Sequence, residues 1–302
     1  MSFSAEDVKK LREKTGCGMM DCKKALEHSG GDESKAIDFL REKGLATAAK
    51  KAGRIASEGM AFAISTSGGG ALIEVNSETD FVAKNNEFKD FVKLCAECVL
   101  KNKPSDVESL LKVTPESFSK NLNEVLNEKI LKIGENIKIR RFKFLDGVTS
   151  SYIHADGKIA VLVKFDADSG IFGNEVFQKM SKDIAMQIAA INPLYLNKNE
   201  VPSDVLEYEK RILMEQAKAQ GKPEQIAQRM VEGRIGKYFK ENCLLHQEFV
   251  KDSSLTVAQY VDKISSAVGQ KITVNQFVRY ERGEGLEKKD ENFAQEVSKI
   301  LG

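Results

Sequence analysis

Sliding the sequence along itself by ninety positions brings two stretches into register. FAIS from Phe62 falls beside YIHA from Tyr152, and ALIEVN from Ala71 beside VLVKFD from Val161. One step of slippage later, Phe88, Phe91, Lys93, Cys95, Ala96 and Val99 meet Phe177, Met180, Lys182, Ile184, Ala185 and Ile188. Each copy reads as two alternating strands joined by a Gly-containing turn, then a loop, then an amphipathic helix. Two related strand-strand-helix units therefore make the middle of an α+β protein.

Around that core the pattern is helical. Ser4-Ala-Glu-Asp7 is a capping box that opens a helix ending at Thr15-Gly16. A second helix runs from about Gly18 to Ser29, and a third starts at Asp32 and stops near Gly44. Each is too short to persist alone, so the three pack as a bundle spanning residues 1–54 with its basic linker. Between the copies, Thr114-Pro115 marks a helix start, and the strand-like IKIRRFKFL follows. The first repeat with this helix spans 55–145, and the second 146–200. Pro202-Ser203 and Gly221-Lys-Pro223 bound two polar-rich helices, an inserted hairpin over 201–240 that projects from the body. Residues 241–282 return to the core through the strand TVNQFVRY, and 283–302 form a helical module, its helix from about Asp290 to Leu301.

Composition narrows the function classes. The 302 residues exceed one typical core, and 46 basic against 45 acidic side chains leave a net charge of +1. That balance gives no strong pull toward nucleic acid or membrane. The longest apolar runs are strand-sized, and MSFSAEDVKKL lacks the apolar core of a signal peptide, so the expected location is cytoplasmic. Five cysteines without framework spacing agree with a reducing compartment. Cys95-Ala-Glu-Cys98 lies on a helical stripe with Phe88, Phe91 and Val99, where cysteines act as small hydrophobes, and no metal site is expected. The triple glycine at Gly68 belongs to a hairpin turn, not to a phosphate loop. Nucleophile-and-base motifs are absent, and neither enzyme nor cofactor is expected.

One loop stands apart. NSETDFVAKNN, Asn76 to Asn86, sets Phe81 and Val82 among turn-forming residues, with Asp80 directly before the ring. The second copy has DADSGIFGNE in its place, so the scaffold is duplicated and the loop chemistry is not. From the residues alone, Phe81 either folds inward against its own helix or projects.

LREKTGCGMMDCKKAL from Leu11, TDFVAKNNEF from Thr79, KIGENIKIRR from Lys132 and QRMVEGRI from Gln228 stand out as longer motifs along the chain. Together they resemble the signatures of bacterial-type elongation factor Ts, over essentially the whole chain. The resemblance implies a ubiquitin-associated-like N-terminal bundle, a duplicated core, a hairpin insertion and a C-terminal module. It implies guanine-nucleotide exchange on elongation factor Tu, without covalent chemistry. Asp80 and Phe81, flanked by Thr79 and Val82, would enter elongation factor Tu beside its nucleotide. Arg12, Met19 and Met20 match positions that grip its nucleotide-binding domain, although Met20 is equally a core residue by type. His154 matches a position facing another domain, and a lone histidine is also a common satisfied surface residue. The sequence departs at Ser77-Glu78, where relatives often show Cys-Gln. A homodimer or a two-plus-two complex is the assembly the resemblance allows, through the hairpin. The competing readings are an adaptor for ubiquitin-like partners and a structural dimerisation protein.

Overall fold

A computed structural model describes residues 3–288; the helix expected from about Asp290 to Leu301 lies outside the described residues. Helix α1 (Ala5–Thr15) opens on the reciprocal Ser4 and Asp7 capping box and closes on Gly16 in the left-handed region. It is followed by α2 (Met19–His28) and α3 (Glu33–Lys51), the latter capped by the Asp32 side chain accepting from the Lys35 amide. The expected stop at Gly44 is wrong, because α3 runs through it for two further turns. Gly44 is buried, and a Cβ there would sit 3.5 Å from the Asn127 carbonyl oxygen. Glycine marks a close helix contact here, not a terminus.

The first half of the core comprises β1 (Glu58–Thr66), β2 (Gly69–Ser77), the one-turn α4 (Asp80–Lys84), α5 (Asn86–Asn102), the short α6 (Val107–Leu111), α7 (Leu122–Ile133) and β3 (Lys138–Asp146). The helix expected from Thr114-Pro115 begins instead at Leu122. Asn121 and Glu124 cap each other's backbone amides there, a stronger start than a proline without a reciprocal cap. Only Ser67 and Gly68 lie between β1 and β2; Gly69 and Gly70 are strand residues. A Cβ on Gly70 would lie 2.5 Å from Leu162 Cδ1, so only glycine fits where the two halves meet.

The second half comprises β4 (Val148–His154), β5 (Ile159–Asp166), α8 (Glu175–Ile191), the hairpin helices α9 (Ser203–Ala219) and α10 (Glu224–Asn242), the small ladder β6 (Glu248–Phe249) and β7 (Asp252–Thr256), α11 (Val257–Val268) and β8 (Thr273–Glu281). The strands form antiparallel sheets in the orders β1-β2-β3 and β4-β5-β8. Ile73 pairs with Phe62 and Val163 with Ser150, while β2 and β5 carry bulges at Glu74/Val75 and Lys164/Phe165. The second strands are thus 90 positions apart and the first strands 88, because the turn before β5 is two residues longer. Tyr152 therefore matches Ile64 and not Phe62.

The duplication also reaches further than the sequence comparison. Ile139 pairs with Val75, and Val274 with the matching Phe165, which puts β3 and β8 135 positions apart. Helices α7 and α11 share that spacing, with capping boxes at Asn121 and Thr256 and left-handed glycines at Gly134 and Gly269. Each half is a three-stranded sheet carrying helices on its outer face. Ile73, Val75, Phe88, Phe91, Leu122 and Val125 fill one core; Val161, Val163, Phe177, Met180, Ile184 and Val257 fill the other. The inner faces meet through smaller residues, Ala61, Ala63, Leu72, Leu145, Ala160 and Leu162.

The N-terminal helices have their own core of Val8, Leu11, Cys22, Leu26, Ala36 and Leu40. They rest on α7 through an Arg41–Glu124 ion pair of 2.9 Å and the Lys51 ammonium on the Gly134 carbonyl. In the hairpin, α9 packs on α10, and among its described residues Ala217, Ala227, Val231 and Ile235 are buried. Its base is pinned where the amides of Leu194 and Tyr195 both donate to the Asn242 carbonyl. No helix among the described residues is long and apolar enough to cross a membrane.

Candidate functional site

Strand β2 ends at Ser77, whose hydroxyl donates to the Thr79 carbonyl at 3.0 Å. Thr79 then caps α4, its Oγ1 accepting from the Val82 amide at 3.4 Å. A helix this short derives its order from neighbours and not from propensity. Val82 and Ala83 supply one anchor by burying themselves in or against the first core. Helical geometry then turns the preceding residue away, and Phe81 projects with 80% of its surface exposed. The inward placement is overturned.

Asp80, beside the ring, pairs with Lys84 one turn on at 2.6 Å. The Lys84 hydrogen bond holds its carboxyl below the usual range, so the acid stays ionised near neutral pH. Asn85 is extended, ends α4, and caps α5 by accepting from the Glu87 amide. The loop is thus a rigid, capped turn that offers one aromatic ring and one acid.

A second anchor comes from residues the sequence comparison did not single out. Glu135 Oε2 accepts from the amides of Glu78 (3.1 Å) and Thr79 (3.0 Å), and Oε1 accepts from the Thr79 hydroxyl at 2.6 Å. Reciprocally, Glu78 Oε1 accepts from the Asn136 amide at 2.6 Å, and Asn136 Nδ2 donates to the Arg54 carbonyl. Arg282, just after β8, adds its charge to what holds the Asp80 carboxyl low. Its amide donates to the Lys158 carbonyl at 2.9 Å, and its guanidinium reaches the Gly59 carbonyl and Glu58.

Comparison with known proteins places this geometry. The family profile described as Elongation factor TS matches residues 78–284. The chain is 51% identical over 304 residues to an elongation factor Ts of Clostridium acetobutylicum, covering 99% of this chain and 98% of that one. It is 49% identical over 308 residues to that of Clostridium kluyveri, with 99% of both covered, and 46% identical over 309 to that of Trichlorobacter lovleyi, covering 100% and 99%. The chain belongs to the elongation factor Ts family.

Within this member of the family, the eight residues singled out from the sequence fall into two groups. Thr79, Asp80, Phe81 and Val82 form the capped turn, and His154 ends β4 on the same margin of the core. The turn after His154 packs Gly157 on Met60 of β1, and Asp156 pairs with Lys89 of α5 at 2.6 Å. His154 is exposed, with Nδ1 3.1 Å from the Tyr152 hydroxyl. Val82 is buried, so it acts as an anchor and offers no contact surface. Arg12, Met19 and Met20 lie apart, at the α1–α2 corner. Met19 is 44% exposed and Met20 61%, which removes Met20 from the core.

Cys95 and Cys98 are both buried in the first core, and burial pushes the Cys98 thiol up to about 11. No group of three His, Cys, Asp or Glu among the described residues could hold a metal ion. Glu135 and Asn136 lie in the KIGENIKIRR segment, but their link to the loop escaped the sequence reading because their partners are 56 or more positions away. Nothing in their local pattern signals the loop.

Proposed function

We propose that this chain binds elongation factor Tu in its GDP-bound state and speeds GDP release, with Phe81 as the inserted wedge. The observation that carries the reading is an exposed phenylalanine on a turn whose neighbouring side chains are buried or hydrogen-bonded. A large exposed ring held this rigidly loses little entropy on binding and suits a partner's pocket. Elongation factor Tu would hold GDP through phosphate contacts and a magnesium ion that demands near-octahedral oxygen geometry. Parting the elements that carry those ligands weakens the nucleotide. By linkage, GDP weakens this chain's binding by the same factor, so GTP can complete the exchange without covalent chemistry. The direct test is release of a fluorescent GDP analogue from purified elongation factor Tu; an unchanged rate with added protein refutes the reading.

The N-terminal helices add affinity in this scheme through Met19, Met20 and Arg12. Truncation of residues 1–54 should weaken the complex chiefly by faster dissociation, as interface changes commonly do. Surface-based binding kinetics would show it, and an unchanged dissociation rate would remove the N-terminal contact. The hairpin has the opposite expectation. Replacing residues 204–240 by a short Gly-Ser bridge, which keeps the Asn242 base, should leave exchange largely intact. Complete loss of exchange in a deletion protein with a normal melting transition would assign the hairpin a direct role.

A further inference from the structure

The fold carries its own control for the loop. Applying the strand spacings to the second half, Asp168 and Ser169 occupy the places of Glu78 and Thr79. Gln270 and Lys271 occupy those of Glu135 and Asn136. Among these described residues no side-chain hydrogen bond joins the two pairs. They line an open cleft of about 670 Å³ instead, and the chain beyond forms a 3-10 turn, Ser169–Gly173, not a capped α-helical turn. Both connections leave the second strand for a helix, the second one residue shorter counted from the matched strand positions and of different sequence, and only the first has the carboxylate. In the first half Glu135 fills the position with three hydrogen bonds, and Glu78 answers with one to Asn136.

We propose that Glu135 is a positioning residue: its carboxylate clamps Glu78 and Thr79, and so fixes the direction in which Phe81 projects. The chemistry supports this role over a merely supportive one. Hydrogen bonds from backbone amides to an ionised carboxylate are about twice as strong as neutral ones. They act on the two residues immediately before α4, where a small rotation of the backbone would swing the ring through a wide arc. Glu135 follows Gly134, the left-handed end of α7, so the clamp is mounted on a well-anchored helix terminus. Without it, the amides of Glu78 and Thr79 lose their acceptor, and α4 is left with the Val82 and Ala83 anchors, the long Thr79 cap and the Ser77 and Asn136 contacts.

The inference rests on the proposed exchange reading for its kinetic arm only. Amide hydrogen exchange on the full chain, free in solution, tests the clamp itself. Glu135→Ala should raise exchange at Glu78 and Thr79 by ten-fold or more while leaving the amides of β2 unchanged. Glu135→Gln keeps a carbonyl for the amides and an NH₂ that the Thr79 hydroxyl can accept, so it should retain most of the protection. In GDP release from elongation factor Tu, Glu135→Ala should raise the half-saturating protein concentration roughly ten-fold, as when the competent loop conformer falls to a tenth of the population. The plateau rate should be kept, because the ring remains. Unchanged protection at Glu78 and Thr79 would overturn the proposal, as would a lowered plateau at unchanged half-saturation. If the unaltered chain fails to accelerate release at all, the exchange reading falls and the protection data still decide the clamp. Should Glu135→Ala not fold, Glu135→Ser, whose hydroxyl is too short to reach the two amides, carries the same two measurements with the same expected results.

Discussion

Replacing Phe81 with Ala should abolish most of the accelerated GDP release, even when elongation factor Tu is saturated with the variant. The ring is 80% exposed in the free chain, so truncating it removes no packing and should leave the melting temperature within about 2 °C of the parent's, as exposed substitutions usually do. Interface aromatics of this kind are worth about 2–4 kcal/mol on truncation. Expressed wholly in the release step, that is roughly 30- to 1,000-fold in rate. A wedge and a plain contact differ in where the loss appears. A wedge acts on the nucleotide within the complex, so its loss lowers the plateau. A contact supplies affinity alone, so its loss is restored by more protein. Stopped-flow release of a fluorescent GDP analogue over a range of protein concentrations separates them, and a normal plateau for the folded variant would rule the wedge out.

Much of this fold is written in local pattern. The 3.6-residue stripes of α5 and α8 each report one buried face, and those faces are where the two cores lie, whereas β2 and β5 are buried on both faces. The misreadings share a cause. Gly44 and Pro115 are residues whose local meaning is ambiguous, and tertiary packing or a better cap settled each. The 135-residue spacing stayed hidden because the matched helices retain little identity. Val125 stands against Tyr260 and Ile130 against Ser265, while the shared features are caps and a left-handed glycine. A hairpin and a small ladder inserted before α11 break the constant offset as well.

The site divides in the same way. A ring among polar turn residues is conspicuous in sequence, and Phe81 could be noticed without knowing the fold. Its direction could not, because it follows from Val82 turning inward and from Glu135 arriving across the sheet edge. Met20 shows the limit plainly. Methionine suits a core and an interface equally well, and only its 61% exposure places it on the surface.

The largest stability effect should come from a residue outside the loop. Glu74, in the middle of β2, is 0% exposed. Arg140 Nη1 donates to both of its oxygens at 3.0 and 3.2 Å, Arg141 Nε at 2.6 Å, Asn76 Nδ2 at 3.1 Å and the Gly283 amide at 2.8 Å. Arg141 also stacks over the Tyr280 ring at 4.1 Å, and Arg140 reaches the Glu284 carbonyl. One carboxylate therefore ties two strands of the first sheet to the chain leaving the second sheet, next to Arg282. The matching residue of the second half is Lys164, which turns to Asp146 at the surface, so the lock belongs to one half only. Glu74→Ala leaves the half-buried Arg140 guanidinium without its carboxylate and Arg141 with Glu284 alone, and breaking such a network costs about 3–5 kcal/mol. For a chain of this size that lowers the melting temperature by about 10 °C. The Gly283 amide should lose its exchange protection in the same variant, since its acceptor is gone. Arg141→Ala, which leaves Arg140, Asn76 and the Gly283 amide donating to the carboxylate, should cost less. A Glu74→Ala protein that melts within 2 °C of the parent, with Gly283 still protected, would show that the sheets are held by the apolar inner faces alone.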